Sequence, residues 1–180
     1  RSAIGDCALC TSLVQNRNSI VFGAGNPDAD IIFVGEAPGR DEDIQGIPFV
    51  GRAGKLLTDI IERGMNMSRD DVYIANILKC RPPNNRDPKP DEVSNCTPFL
   101  NRQLALVKPR VIVALGAYAS KYLTGQNIAI GKMRGKFFEY EDVPVMPTYH
   151  PAYLLRNYSR ENRKKVWDDI KKVLAYLDRQ

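Results

Sequence analysis

Four short apolar runs limit what this chain can fold into. DIIFVG (residues 30–35), VYIANI (72–77) and RVIVAL (110–115) are rich in β-branched residues and lack polar alternation, and VPVMPT (143–148) makes a fourth run. Such runs fit strands covered on both faces. Helical spacing fills the gaps between them. Residues 53–65 set Leu56, Leu57, Ile60 and Ile61 on one stripe, and residues 91–107 follow Pro90, a good first helical residue. Residues 116–123 make a short third helix and residues 160–177 a long amphipathic one. Strands alternating with helices predict an α/β fold with a mostly parallel sheet, and in such sheets the ligand lies beyond the carboxyl ends of the strands. That rule selects the loops 35–50, 76–90, 116–118 and 148–156.

A chain of 180 residues predicts one domain over 1–180. No run of about 18 apolar residues predicts a membrane span. The start, RSAIGDCALC, lacks the charged-then-apolar plan of a signal peptide, so a soluble, intracellular protein is expected. A net charge of +5 favours a polyanionic partner only weakly. Its distribution says more, because cations gather at 79–86, 132–136 and 156–165, the last partly a solvated helix face.

The four cysteines are Cys7, Cys10, Cys80 and Cys96. Cys7 and Cys10 form a C-x2-C turn, which presents two thiolates to one metal centre. A disulfide does not suit an intracellular chain. Zinc ribbons use two close knuckles, whereas 15 residues separate Cys80 from Cys96. An all-thiolate site remains, and spacing leaves zinc and an iron–sulfur cluster both open.

Two stretches imitate phosphate loops and fail. GEAPG follows a strand, but it lacks the dinucleotide glycine pattern, and Pro38 removes an amide. FVGRAGKL has Phe49 where a nucleotide-binding loop needs its first glycine and Leu56 where it needs Ser or Thr.

The loops at the strand ends instead collect Glu36, Glu42, Asp43, Phe49, Asn76 and His150, the only histidine. A carboxylate orients or activates water. An aromatic ring stacks on a planar ligand, and an Asn amide offers a donor beside an acceptor, which suits a base edge. An imidazole donates to developing negative charge.

GEAPGRDEDIQGIPFVGRAG (35–54), NILKCRPPNNRDPKPDE (76–92) and HPAYLLRN (150–157) resemble the motifs of the family 4 uracil-DNA glycosylases, bacterial and archaeal enzymes with a [4Fe–4S] cluster. The resemblance runs from about Cys7 to the C-terminal helix. It implies a three-layer α/β/α sandwich around a four-stranded parallel sheet. It implies a structural cluster on Cys7, Cys10, Cys80 and Cys96, and a cytoplasmic monomer acting on uracil in single- or double-stranded DNA. By the family pattern the base is flipped out, Phe49 stacks on it, and Asn76 reads its polar edge. Gly35 and Ala37 belong to the same binding motif, Glu36 to the motif that positions water, and His150 hydrogen-bonds the departing uracil. A related subgroup that traps the sugar covalently carries a basic, His-containing insertion absent here, so turnover is expected.

Lys79, Arg81 and Arg86 are candidate phosphate contacts. The apolar residues after His150 suggest an exposed loop that wedges into the gap left by the flipped base, with Leu154 first and Leu155 or Arg156 as alternatives. The competing readings are a same-fold glycosylase for another deaminated base such as hypoxanthine, and a non-catalytic DNA-binding module with a four-thiolate site.

Overall fold

The computed structural model describes residues 3–178. Its strands are β1 (Ala24–Gly25), β2 (Ile31–Gly35), β3 (Tyr73–Asn76), β4 (Val111–Leu115), β5 (Phe138–Tyr140) and β6 (Val143–Thr148). They form one sheet in the order β1-β3-β2-β4-β6-β5. The central four, β3, β2, β4 and β6, run parallel, as expected. The four-stranded description is corrected at both edges, where β1 and β5 add antiparallel strands. Neither edge strand carries a buried run. β5 joins β6 through Glu141 and Asp142, both at positive φ (47° and 67°), a two-residue hairpin without the usual Asn-Gly signal.

The helices are α1 (Thr11–Val14), α2 (Arg40–Gln45), α3 (Arg52–Asp59), α4 (Pro90–Val107), α5 (Ala117–Thr124), α6 (Ile130–Met133), α7 (Pro151–Arg156) and α8 (Arg160–Leu177). The last turn of α3 widens into a π-helical segment, Ile60–Gly64, where the Met65 amide reaches the Ile60 carbonyl. Successive strand residues point to opposite faces. Ile32, Val34, Ile112 and Ala114 therefore pack with Leu100 and Leu104 of α4 and Leu123 of α5. Ile31, Phe33, Val111 and Val113 pack with Leu57 of α3 and Val166, Ile170 and Val173 of α8. Every residue of β2, β3 and β4 is buried, which explains their unbroken apolar sequences. Among the described residues no helix is long and apolar enough to cross a membrane.

One expectation fails locally. The segment after His150 is not a loop but α7, with Pro151 at its first helical position and His150 as its N-cap. Proline suits that position because its missing N–H has no intrahelical partner anyway.

Candidate active site

The parallel strands end together, and the chain beyond each end turns toward a shared cavity of about 490 Å³. β2 delivers Gly35 and then Glu36, and β3 delivers Asn76, paired in register with Gly35. β6 ends at Thr148, two residues before His150. Glu36, Ala37, Phe49, Asn76 and His150 all line the cavity.

Phe49 owes its place to a constrained loop. Its φ is +53°, and the next two amides, Val50 and Gly51, both donate to Glu42 Oε1 at 3.0 Å. Gly54 lets α3 start against this loop, since a Cβ there would sit 2.0 Å from the Phe49 carbonyl. The Phe49 and His150 rings lie 5.5 Å apart at 33°. Gly35 does not itself line the cavity but sits behind Asn76 and Phe49. A Cβ on it would fall 2.4 Å from Asn76 Oδ1 and 2.7 Å from Phe49 Cζ.

Asn76 is 2% exposed, and among the described residues its Oδ1 has no hydrogen-bond partner. Leaving a buried acceptor unpaired costs about 1–3 kcal/mol, so an orphan of this kind in a cavity wall suits a ligand donor.

His150 Nδ1 accepts the Ala152 amide at 3.0 Å. The proton of the neutral ring therefore sits on Nε2. Burial, reinforced by Arg156 and opposed by Glu42, pulls the imidazole pKa down to about 4. The ring is neutral at physiological pH and acts as a donor without carrying a formal charge.

The three carboxylates of the first loop separate by role. Asp43 is buried and accepts the Asn18 and Ser19 amides, fastening the N-terminal segment. Glu42 reaches the cavity, but Oε1 is committed to the Phe49 loop. The Glu36 carboxylate has no hydrogen-bond partner among the described residues, while its backbone carbonyl accepts the Leu78 amide at 3.0 Å. Burial, and secondarily the negative charge of Asp87, raise its pKa to about 6. Asp87 was not foreseen from sequence. Its loop bends back over the strand ends through Asn84 and Asn85, both at positive φ. The dense Pro and Asn signal marked a turn but did not say which side chain would face the cavity.

A family model for the uracil DNA glycosylase superfamily matches residues 22–171. The chain belongs to that superfamily. It is 48% identical over 176 residues to a type-4 uracil-DNA glycosylase of Thermotoga maritima, covering 97% of this chain and 91% of the relative. It is 46% identical to the type-4 uracil-DNA glycosylase of Archaeoglobus fulgidus, covering 94% and 87%. A type-5 uracil-DNA glycosylase of Pyrobaculum aerophilum is 31% identical, covering 94% and 88%.

Away from the cavity, this superfamily member brings its four cysteines into one electrostatic neighbourhood. No disulfide joins any of them, and Cys10 packs against the core that holds Cys80 and Cys96. Burial pushes the Cys80 thiol up, with Cys7 and Cys10 adding to the rise and Arg17 opposing it. Burial likewise pushes Cys96 up to about 11. Arg17 donates to Cys80 Sγ at 3.3 Å and to the Cys7 carbonyl at 2.7 Å, and Asn95 Nδ2 lies 3.5 Å from Cys10 Sγ. Among the described residues no three His, Cys, Asp or Glu side chains are arranged to hold a single metal ion. A donor set of sulfurs only, with N–H groups aimed at two of them, does fit a thiolate-bound cluster.

The expected DNA-facing residues divide. Lys79 is corrected: it is fully buried, and its Nζ donates to the Asn76 carbonyl at 2.8 Å and to Gln103 Oε1 at 2.6 Å. Burial lowers its pKa to about 7. It braces the end of β3 against α4 and cannot reach a phosphate. Arg86 is half-buried and bidentate to Glu92 at 2.8 and 2.5 Å. Arg81 bonds Asn85 Oδ1 at 2.8 Å. Leu154 is also corrected. At 3% exposure it packs into the core beneath α7, whereas Leu155 is 44% exposed and Arg156 is exposed at the cavity rim.

Proposed function

We propose that this chain is a DNA-repair hydrolase that flips uracil out of DNA and cleaves its N-glycosidic bond. The observation that carries the reading is the unpaired Asn76 Oδ1 beside the Phe49 ring. Uracil presents a ring N3–H to that acceptor and a carbonyl O4 to the amide donor. Cytosine presents an unprotonated N3 and an amino group, so its edge is mismatched to the same amide. Flipping gives the enzyme access to an atom that the duplex shields.

The departing base carries the electron pair of the broken C1′–N1 bond. His150 Nε2–H donates to the uracil anion, stabilising charge without adding any. Glu36, as a carboxylate, orients the water whose oxygen bonds to C1′, and it takes up the proton that water releases. Ala37 shapes the wall, Gly35 leaves room behind it for Asn76 and Phe49, and Phe49 stacks on the base. The products are free uracil and an abasic sugar, and the enzyme turns over. Leu155 and Arg156 are the residues of α7 placed to fill the vacated stack, with Arg81 as a phosphate contact.

Cys7, Cys10, Cys80 and Cys96 would hold a [4Fe–4S] cluster, which when bound supplies a structural clamp. Those residues tie the N-terminal segment to the loop between β3 and α4, which carries Asp87 into the cavity.

Release of free uracil from U:G and single-stranded oligonucleotides tests the reading. Wild type should release it, and Asn76→Asp should lose activity or the discrimination against cytosine. Absence of release by wild type ends the proposal.

A further inference from the structure

A second cleft of about 880 Å³ opens on the far side of α7 from the catalytic cavity. Leu56, Ile60 and Leu154 give it an apolar floor. Four cations, Arg63, Arg160, Arg163 and Lys164, line it against one carboxylate, Asp59, which is already paired to Arg63 at 3.3 Å. Two aromatic rings stand in this basic setting. Tyr158 is 75% exposed. Arg163 holds it in place, with its guanidinium 5.6 Å from the ring centroid and Nη1 donating to the phenol oxygen at 3.1 Å. Trp167, the only tryptophan, is 38% exposed and lies close over Gly64, where an added Cβ would come 3.2 Å from Cζ3.

Exposed aromatic rings set among unpaired cations are how proteins hold single-stranded nucleic acid without reading its sequence. One helix separates the cleft from the catalytic cavity. Tyr153 and Arg156 of α7 line the cavity, while Leu154 and the following Tyr158 line the cleft. A helix with its side chains is about 10–12 Å across, a distance that about three stacked nucleotides span at 3.4 Å each.

We propose that this cleft is a strand-guiding subsite for the DNA substrate. A single-stranded segment flanking the flipped nucleotide crosses α7, stacks bases on Tyr158 and Trp167, and lays its phosphates against Arg160, Arg163 and Lys164. The identity of the strand rests on the glycosylase reading, whereas the affinity for single-stranded DNA does not.

Trp167 reports on the cleft directly. Titrating the full chain with a uracil-free oligothymidylate should quench its emission, and half-saturation should move to higher DNA concentration as salt rises. Tyr158→Ala should weaken this binding about tenfold, the loss of one base stack. Arg163→Glu combined with Lys164→Glu should flatten the log–log salt slope by about 1.4, or about 0.7 per lost contact to a single strand. Unchanged Trp167 emission, while the anisotropy of a labelled oligothymidylate shows saturation, overturns the proposal and leaves the cleft to another occupant, such as a protein. Wild-type affinity and salt slope in both variants overturn it equally. Uracil release by wild type from a short uracil oligonucleotide tests the glycosylase reading separately, and its failure leaves the quenching result standing.

Discussion

Nδ1 of His150 accepts the backbone amide of Ala152, 3.0 Å away. One hydrogen bond thus caps α7, fixes the tautomer and leaves Nε2–H as the ring's free donor. With the imidazole pKa near 4 and Glu36 near 6, the acid limb of activity should belong to Glu36 if it is the group that activates water. Activity should be full only well above pH 6 and fall to half as pH drops through about 6, because Glu36 then protonates while His150 is still neutral. Glu36→Gln should remove that limb and leave a low, flat profile. Asp87→Asn should move the limb to lower pH, since its charge helps to raise the Glu36 pKa. His150→Ala should cost about 10²–10³-fold in rate at every pH, as for the loss of one anion donor. The pH dependence of single-turnover uracil release checks all three, and a limb unchanged in Glu36→Gln would remove Glu36 from its role.

Gly35→Ala is the sharpest test of the packing behind Asn76 and Phe49. The new Cβ would meet Asn76 Oδ1 at 2.4 Å and the Phe49 ring at 2.7 Å. Both groups must shift, at about 1–3 kcal/mol for an overpacked site. Uracil release should fall by at least about a hundredfold, since a misplacement of about 1 Å costs that much. Circular dichroism and thermal melting should show a folded, modestly destabilised protein. Wild-type turnover would place the base elsewhere.

Leu154 and Leu155 are neighbours with opposite fates. Leu154 is buried in the core beneath α7, so Leu154→Ala should destabilise the protein by about 2–5 kcal/mol. Any activity it loses should be lost alike on duplex and single-stranded substrates. Leu155 is exposed, so Leu155→Ala should leave the melting temperature nearly unchanged and slow duplex cleavage more than single-stranded cleavage. Parallel kinetics on the two substrates separate a wedge from a core residue.

These assignments show where sequence was informative. β2, β3 and β4 were legible because strands covered on both faces must be apolar throughout. The loops bearing Glu36, Phe49, Asn76 and His150 followed from the rule that ligands sit at carboxyl strand ends. β1 and β5 were hidden, being edge strands of two and three residues with exposed positions. α7 was hidden because a proline after His150 reads equally as a loop and as a helix start. Lys79 misled most. Its residue type says surface, and only the placement of Gln103 and the Asn76 carbonyl around it explains its burial.

Lys79 and Arg156 should therefore differ in a salt titration. Lys79→Met leaves the Asn76 carbonyl and Gln103 Oε1 short of a donor, which should lower stability by about 1–3 kcal/mol. It should leave the slope of log DNA affinity against log salt unchanged. Arg156→Ala, at an exposed site on the cavity rim, should reduce that slope by about one and leave the melting temperature near wild type. A slope change in Lys79→Met would restore it as a phosphate contact.

The cysteines predict a spectrum. Cys80 and Cys96 thiols are held in the protonated form by burial unless a metal centre displaces the protons. Protein purified without oxygen should be brown, with broad absorbance near about 400 nm from thiolate-bound iron. Cys96→Ser should lose that band and melt at lower temperature, because a bound cluster would anchor α4 through Cys96 to the N-terminal knuckle. Arg17→Met should keep the band initially but bleach faster in air, since the Cys80 sulfur loses its 3.3 Å donor and the Cys7 carbonyl its 2.7 Å donor. Iron and sulfide analysis alongside the bleaching rate checks both, and a colourless, fully active protein that contains only zinc would overturn the cluster.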